Sequence, residues 1–80
     1  MVLDGKVALV TGAGQGVGQG IALALAAQGA RVAVSGRTLS KLEATCRQIE
    51  QRGGIALPVQ CDVKSAESLE QCVASVIAEF

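Results

Sequence analysis

Between residues 12 and 20 every second position is glycine: Gly12, Gly14, Gly16, Gly18 and Gly20. Before this run stands Lys6-Val7-Ala8-Leu9-Val10-Thr11, a short apolar stretch bounded by Asp4-Gly5 and Gly12. Its length and composition predict a strand buried on both faces. After it, Val17 to Gln28 is rich in Ala and Leu and predicts a helix, with Gly29 as its C-cap. A strand that runs through glycines into a helix is a severe constraint. A phosphate group needs close backbone approach, which Cβ atoms block, and donors aimed at it. Glycines supply the first and a helix N-terminus supplies the second. A Gly-rich run also serves as a flexible loop or as a site of tight helix–strand packing. The strand before it and the helix after it favour phosphate binding over both.

The alternation continues. Arg31-Val32-Ala33-Val34-Ser35 is a second short β-branched run, only a few residues past Gln28, as a βαβ unit requires. Ser40-Lys41-Leu42-Glu43 has capping-box spacing and opens a helix to Arg52, stopped by Gly53-Gly54. Leu39, Leu42, Cys46 and Ile49 form its apolar stripe. Ile55 to Gln60 is the third strand candidate, and its Pro58 confines it to a sheet edge. Ser65 caps a last helix, with Glu67 near its positive end and Leu69, Val73, Val76 and Phe80 on its buried stripe. Three strands joined by helices lie parallel with right-handed crossovers. The expected fold is therefore α/β, a doubly wound parallel sheet present as βαβαβα, with strand order 3-2-1. In that order the first strand is an open apolar edge, so residues 1–80 read as the N-terminal portion of a larger single domain.

Composition removes several classes of function. The 80 residues are 50% hydrophobic, which suits a packed core. Seven basic and seven acidic residues give zero net charge, which argues against nucleic acid as a partner. There is no His, Tyr or Trp, so this chain holds no Ser-His-Asp or Cys-His pair and no His-based metal site. Cys46, Cys61 and Cys72 lack CxxC spacing and are odd in number, which fits free thiols in a reducing cytoplasm and no metal. Ile21 to Ala27 is an unbroken apolar run, but it is too short to cross a bilayer and follows glycines and Gln. It reads as a buried helix, with no membrane partner.

Which phosphate ligand does the turn suit? A P-loop needs Gly-Lys-Ser/Thr, and no Lys occurs between Lys6 and Lys41. Strict G-x-G-x-x-G also fails, because Val17 and Gln19 stand where it needs glycine. The spacing that fits is Thr-Gly-x-x-x-Gly-x-Gly, with Gly12, Gly16 and Gly18. With Thr11-Gly12-Ala13-Gly14-Gln15-Gly16-Val17-Gly18, Gly36-Arg37 after strand two and Asp62-Val63 after strand three, the chain resembles the short-chain dehydrogenase/reductase family from Lys6 to Phe80. The resemblance implies a Rossmann-type fold whose glycine turn, Gly14 included, cradles the pyrophosphate of a nicotinamide dinucleotide. Gln15 and Val17 would lie against the cofactor, and Gly18 would allow close helix packing. Asp62 matches the family's acid that holds the adenine amino group, with Val63 beside the ring. A turn or capping role before Ser65 is the competing reading of Asp62.

In dinucleotide-binding sheets an acid at the end of strand two binds the ribose 2′-hydroxyl of NAD. Here that position is Gly36, followed by Arg37 and Thr38. An arginine pairs with the 2′-phosphate of NADP, whereas a carboxylate repels it. NADP(H) is thus expected over NAD(H), with Ser35 and Thr38 adding hydroxyl contacts. The resemblance further implies hydride transfer between nicotinamide and a carbonyl or secondary alcohol, and a homo-oligomeric, cytoplasmic whole protein, dimer or tetramer. The family's catalytic Ser, Tyr and Lys have no matching positions, so no catalytic residue is assigned and a small-molecule substrate would meet the missing half. Two other expectations stand beside this one: a non-catalytic NADP-binding or redox-sensing module, and a truncated inactive fragment.

Overall fold

The computed structural model describes residues 2–62 and 64–80. The elements run β1 (Val7–Thr11), α1 (Gly16–Ala27), β2 (Arg31–Gly36), α2 (Leu39–Gln51), β3 (Ile55–Gln60) and α3 (Ala66–Glu79). The three strands form one parallel sheet in the order β1-β2-β3. The expected 3-2-1 names the same neighbours counted from the opposite edge, and the order as observed starts from β1. Val7 pairs with Arg31 and Thr11 with Ser35, while Arg31 pairs with Ile55 and Gly36 with Gln60. Pro58 lies opposite Val34 on the edge strand β3, where a missing N–H breaks no ladder on the outer side.

The central strand divides the core. Val32 and Val34 point to one face and pack with Val10, Ala22, Leu42, Cys46 and Ile49, so α1 and α2 share that face. Ala33 points to the other face and packs with Val59, Cys61, Cys72 and Val76 beneath α3. Both α1 and α2 close with the same device. Gly29 and Gly53 take positive φ just past the helix, and the next residue's N–H returns to a carbonyl of the last turn. The pairs are Ala30 to Leu25 at 3.2 Å and Gly54 to Ile49 at 3.0 Å. This is the Schellman arrangement, and it turns the chain directly into β2 and β3. Gln28 is therefore the C-cap of α1, and Gly29 is the residue after it.

Three expectations need correction. β1 is buried on one face only: Val10 is in the core, but Val7 and Leu9 are 46% and 37% exposed. They share a face with Ala33, and α3 packs over β3 rather than reaching across to β1. Secondly, α2 starts at Leu39 with Thr38 as N-cap, not at Ser40. Ser and Thr are both capping residues, and the capping-box spacing fell two residues too late. The buried positions are Leu42, Thr45, Cys46 and Ile49, while Leu39 is exposed. Thirdly, on α3 Cys72 takes the buried place expected of Val73, which faces out. Ser65 does cap α3, accepting from the Ser68 N–H at 3.2 Å, and Glu67 lies in its first turn. Among the described residues, no helix is long and apolar enough to cross a membrane.

Candidate dinucleotide site

All three strands end on the same side, and the segments that leave them meet there. Gly12, Gly14 and Gln15 follow β1; Gly36, Arg37 and Thr38 follow or end β2; Cys61 follows β3. Together with Lys41 and Leu42 of α2 they line a groove of about 230 Å³. In open α/β sheets this is the position at which ligands bind.

The glycine turn is fixed at its centre. Ala13 is fully buried, its N–H donates to the Ser35 carbonyl at 3.0 Å, and its carbonyl accepts the Thr45 hydroxyl at 3.1 Å. The turn is thus pinned to β2 on one side and α2 on the other. Gly12 and Gly16 flank this anchor with φ of +64° and +63°, a region that costs a β-branched residue dearly. Nothing lies within 4 Å of where a Cβ would stand at either, so backbone conformation and not crowding selects glycine there. Gly18 has the opposite reason. A Cβ at that position would overlap the Gly12 carbonyl oxygen and come 3.2 Å from Ala13 Cα, so α1 could not lie against the turn.

The helix ends at the groove are open. Gln15, the N-cap of α1, makes no side-chain capping bond, and neither does Thr38 at α2. Neither helix has an acid in its first turn. The first-turn N–H groups of a helix lack internal partners, and the macrodipole places about half a positive charge there. Arg37 and Lys41 add two cations, and no carboxylate stands among the groove-lining residues. The whole favours an anion, and the phosphates of a dinucleotide fit it.

The expected site residues separate into groups. Gly12, Gly14, Gln15, Arg37 and Thr38 line the groove. Val17 is 81% exposed on the first turn of α1, beside the groove and not within it. Asp62 is exposed and, with Arg37, Gln60, Cys61 and Ser68, lines an adjoining pocket. Its Oδ1 accepts the Lys64 N–H at 3.0 Å and its own N–H donates to Ser68 Oγ at 3.0 Å, so it serves as a turn residue. Val63 lies outside the described residues. Ser35 is not at the groove: its hydroxyl is fully buried on the α3 side, 3.6 Å from Cys72 Sγ. Successive strand residues face opposite ways, and Ser35 follows Ala33 to the α3 face. Sequence reasoning missed Lys41, Thr45 and Cys61. Lys41 had a usable signal, because a side chain in the first turn of a helix leans toward the N-terminus and here toward the strand ends.

The cysteines are all free and buried. Burial, with Glu50 and Glu43 nearby, pushes the Cys46 thiol up to about 11. Burial also raises Cys72, which the Ser35 hydrogen bond opposes and neighbouring Cys61 reinforces. Both stay protonated at neutral pH, as structural thiols do.

Comparison with known proteins gives the site its context. Versicolorin reductase 1 of Aspergillus parasiticus is 42% identical over 98% of this chain, which spans 30% of that protein. The D-threitol dehydrogenase of Mycolicibacterium smegmatis is 44% identical over 98% of the chain and 30% of its own length. The crystal structure of a hydroxysteroid dehydrogenase from Escherichia coli superposes with a TM-score of 0.95 at 38% identity, over 96% of this chain and 33% of that one. A metagenomic short-chain oxidoreductase in complex with NADP superposes with the same TM-score and identity, over 99% and 36%. The chain thus spans about a third of the length of the proteins it matches. The short chain dehydrogenase family model matches residues 6–80, glycine turn, groove and all three helices included. With sequence, backbone and motif in agreement, this chain belongs to the short-chain dehydrogenase/reductase family.

Proposed function

We propose that this segment binds the NADP(H) of a short-chain oxidoreductase that moves hydride between nicotinamide and a carbonyl or secondary alcohol of a small molecule. One observation carries the cofactor choice. At the end of β2, where a carboxylate would hold the ribose hydroxyls of NAD, stand Gly36 and Arg37, in a groove lined by no acid. Arg37 supplies a planar, permanently charged donor set suited to a 2′-phosphate. Gly12, Gly14, Gln15 and Gly16, with the open end of α1 from Val17 and Gly18, take the pyrophosphate. Thr38 adds a hydroxyl beside Arg37. Asp62 and Val63 take the adenine. The crystal structure of a similar metagenomic oxidoreductase in complex with NADP supports the same choice.

When bound, the nicotinamide supplies or accepts the hydride. This chain's residues bind and orient it. The chain has no tyrosine, and no residue of it is assigned to proton transfer. The same reading carries a cytoplasmic, homo-oligomeric whole protein, dimer or tetramer. The deciding experiment is the ratio of NADPH to NADH affinity in the whole protein and in its Arg37→Asp variant. The variant is expected to reverse the preference, with NADPH affinity falling about a hundredfold. An unchanged ratio would refute the assignment.

A further inference from the structure

Lys41 is the third residue of α2, and it closes the groove from the helix side. Its stem is set against the glycine turn: a Cβ at Gly14 would stand 3.1 Å from Lys41 Cβ and 3.7 Å from Leu42 Cδ2. Gly14 thus leaves the space in which the lysine stem lies. At the other end, Lys41 Nζ donates to Gln15 Oε1 at 2.8 Å, across 26 positions of sequence. This bond bridges α2 to the N-cap of α1 and aims the ammonium across the groove. A neutral amide holds the ammonium without cancelling its charge. A carboxylate at position 15 would hold it and neutralise it. The chain as a whole has no net charge, yet two cations and no acid line this groove.

We infer that Lys41 is the second cation of the 2′-phosphate subsite, a specificity-determining residue, and that Gln15 is the positioning residue that holds it over the groove. The inference rests on the NADP(H) reading and deepens it, because that reading places the discrimination in Arg37. A phosphate monoester carries close to two negative charges at neutral pH, its second pKa being about 6. One arginine leaves half of that charge unmatched, and Lys41 matches the rest as a point charge on a flexible stem.

The test measures dissociation constants of NADPH, NADH, 2′,5′-ADP and 5′-AMP on the whole protein. The variants are Lys41→Met, Lys41→Arg, Gln15→Ala and Arg37→Ala. Lys41→Met is expected to weaken NADPH and 2′,5′-ADP about tenfold and to move NADH and 5′-AMP by less than about twofold. Lys41→Arg should keep most of the wild-type NADPH affinity, and Gln15→Ala should weaken both dinucleotides, NADPH by about threefold more than NADH. Retained NADH binding shows that the Lys41 and Arg37 variants are folded, and an unchanged thermal midpoint shows it for Gln15→Ala. Equal weakening of all four ligands by Lys41→Met would overturn the inference, since the residue would then serve the shared part of the ligand or the structure. It would also fall if Lys41→Met changed nothing while Arg37→Ala still weakened NADPH selectively, and the NADP(H) reading would then survive. If neither variant moved the NADPH to NADH ratio, both readings would fall together.

Discussion

The N-terminus of α3 and the N-termini of α1 and α2 satisfy the same physical need in opposite ways. At α3, Ser65 accepts the Ser68 N–H, and Glu67 stands in the first turn. Orphan donors and dipole are both answered from within the chain. At α1 the N-cap is Gln15, whose side-chain oxygen is turned to Lys41 instead of to the helix. At α2 it is Thr38, whose hydroxyl makes no capping bond. At α3 the chain uses Ser65 and Glu67 to close the helix end. Where the strand ends converge, it leaves two helix ends open and adds Arg37 and Lys41. The lost caps cost stability of about 1 kcal/mol each, and a phosphate bound in the groove would offset that cost.

The comparison breaks most completely at the contact that lets α1 reach the groove. Gly18→Val places a branched side chain against the Gly12 carbonyl and Ala13 Cα, which are backbone and cannot swing away. The helix must back off from the turn, at a cost of about 3 kcal/mol. Dinucleotide binding should fall below detection, read by NADPH fluorescence, together with a lowered thermal midpoint. Gly20→Ala is the control. Gly20 lies within α1 with nothing inside 4 Å of a new Cβ, so the change should stabilise by about 0.5–1 kcal/mol. If Gly18→Val bound dinucleotide normally, the close approach would have no functional meaning.

A subtler change makes α1 resemble α3. Val17 is 81% exposed in the first turn, where an acid suits the helix dipole. Val17→Glu should therefore stabilise the protein by about 0.5 kcal/mol and weaken NADPH and NADH alike by about tenfold. Stability and affinity moving in opposite directions is the signature of an end kept open for an anion. Parallel gains in both would mean that the open end is incidental.

These contrasts were only partly legible in the sequence. The βαβαβα order was, because each element carries its own period and punctuation: the β-branched run at Arg31–Gly36, the Pro58 edge strand at Ile55–Gln60, and the Gly29 and Gly53 stops. The glycine turn was legible for the same reason, since its residues answer to local backbone demands. What depended on where a third element lands was not. The open face of Val7 and Leu9 follows from α3 covering β3 and not β1. The Ser35 hydroxyl lies under Cys72 because β2 alternates and α3 occupies that face. Local capping signals also ran out at α2, where Thr38 and Ser40 offer the same chemistry and only the chain path from Gly36 selects between them.

The smallest contrast compares the two hydroxyl N-caps directly. Ser65→Ala removes a bond that α3 uses, so the protein should lose about 1 kcal/mol of stability. Thr38→Ala removes a hydroxyl that caps nothing, so the loss should stay within about 0.5 kcal/mol, the range of an ordinary surface change. Binding should invert the ranking. Ser65 lines neither the groove nor the pocket beside Asp62, and its alanine variant should bind NADPH as before. Thr38 lines the groove beside Arg37, and its alanine variant should lose a few-fold in NADPH affinity with NADH unchanged. Denaturant melts of both variants, with NADPH titrations on the same preparations, read the two rankings side by side. Equal destabilisation by the two substitutions would mean that Thr38 does cap α2 in solution, and the division between closed and open helix ends would then rest on α1 alone.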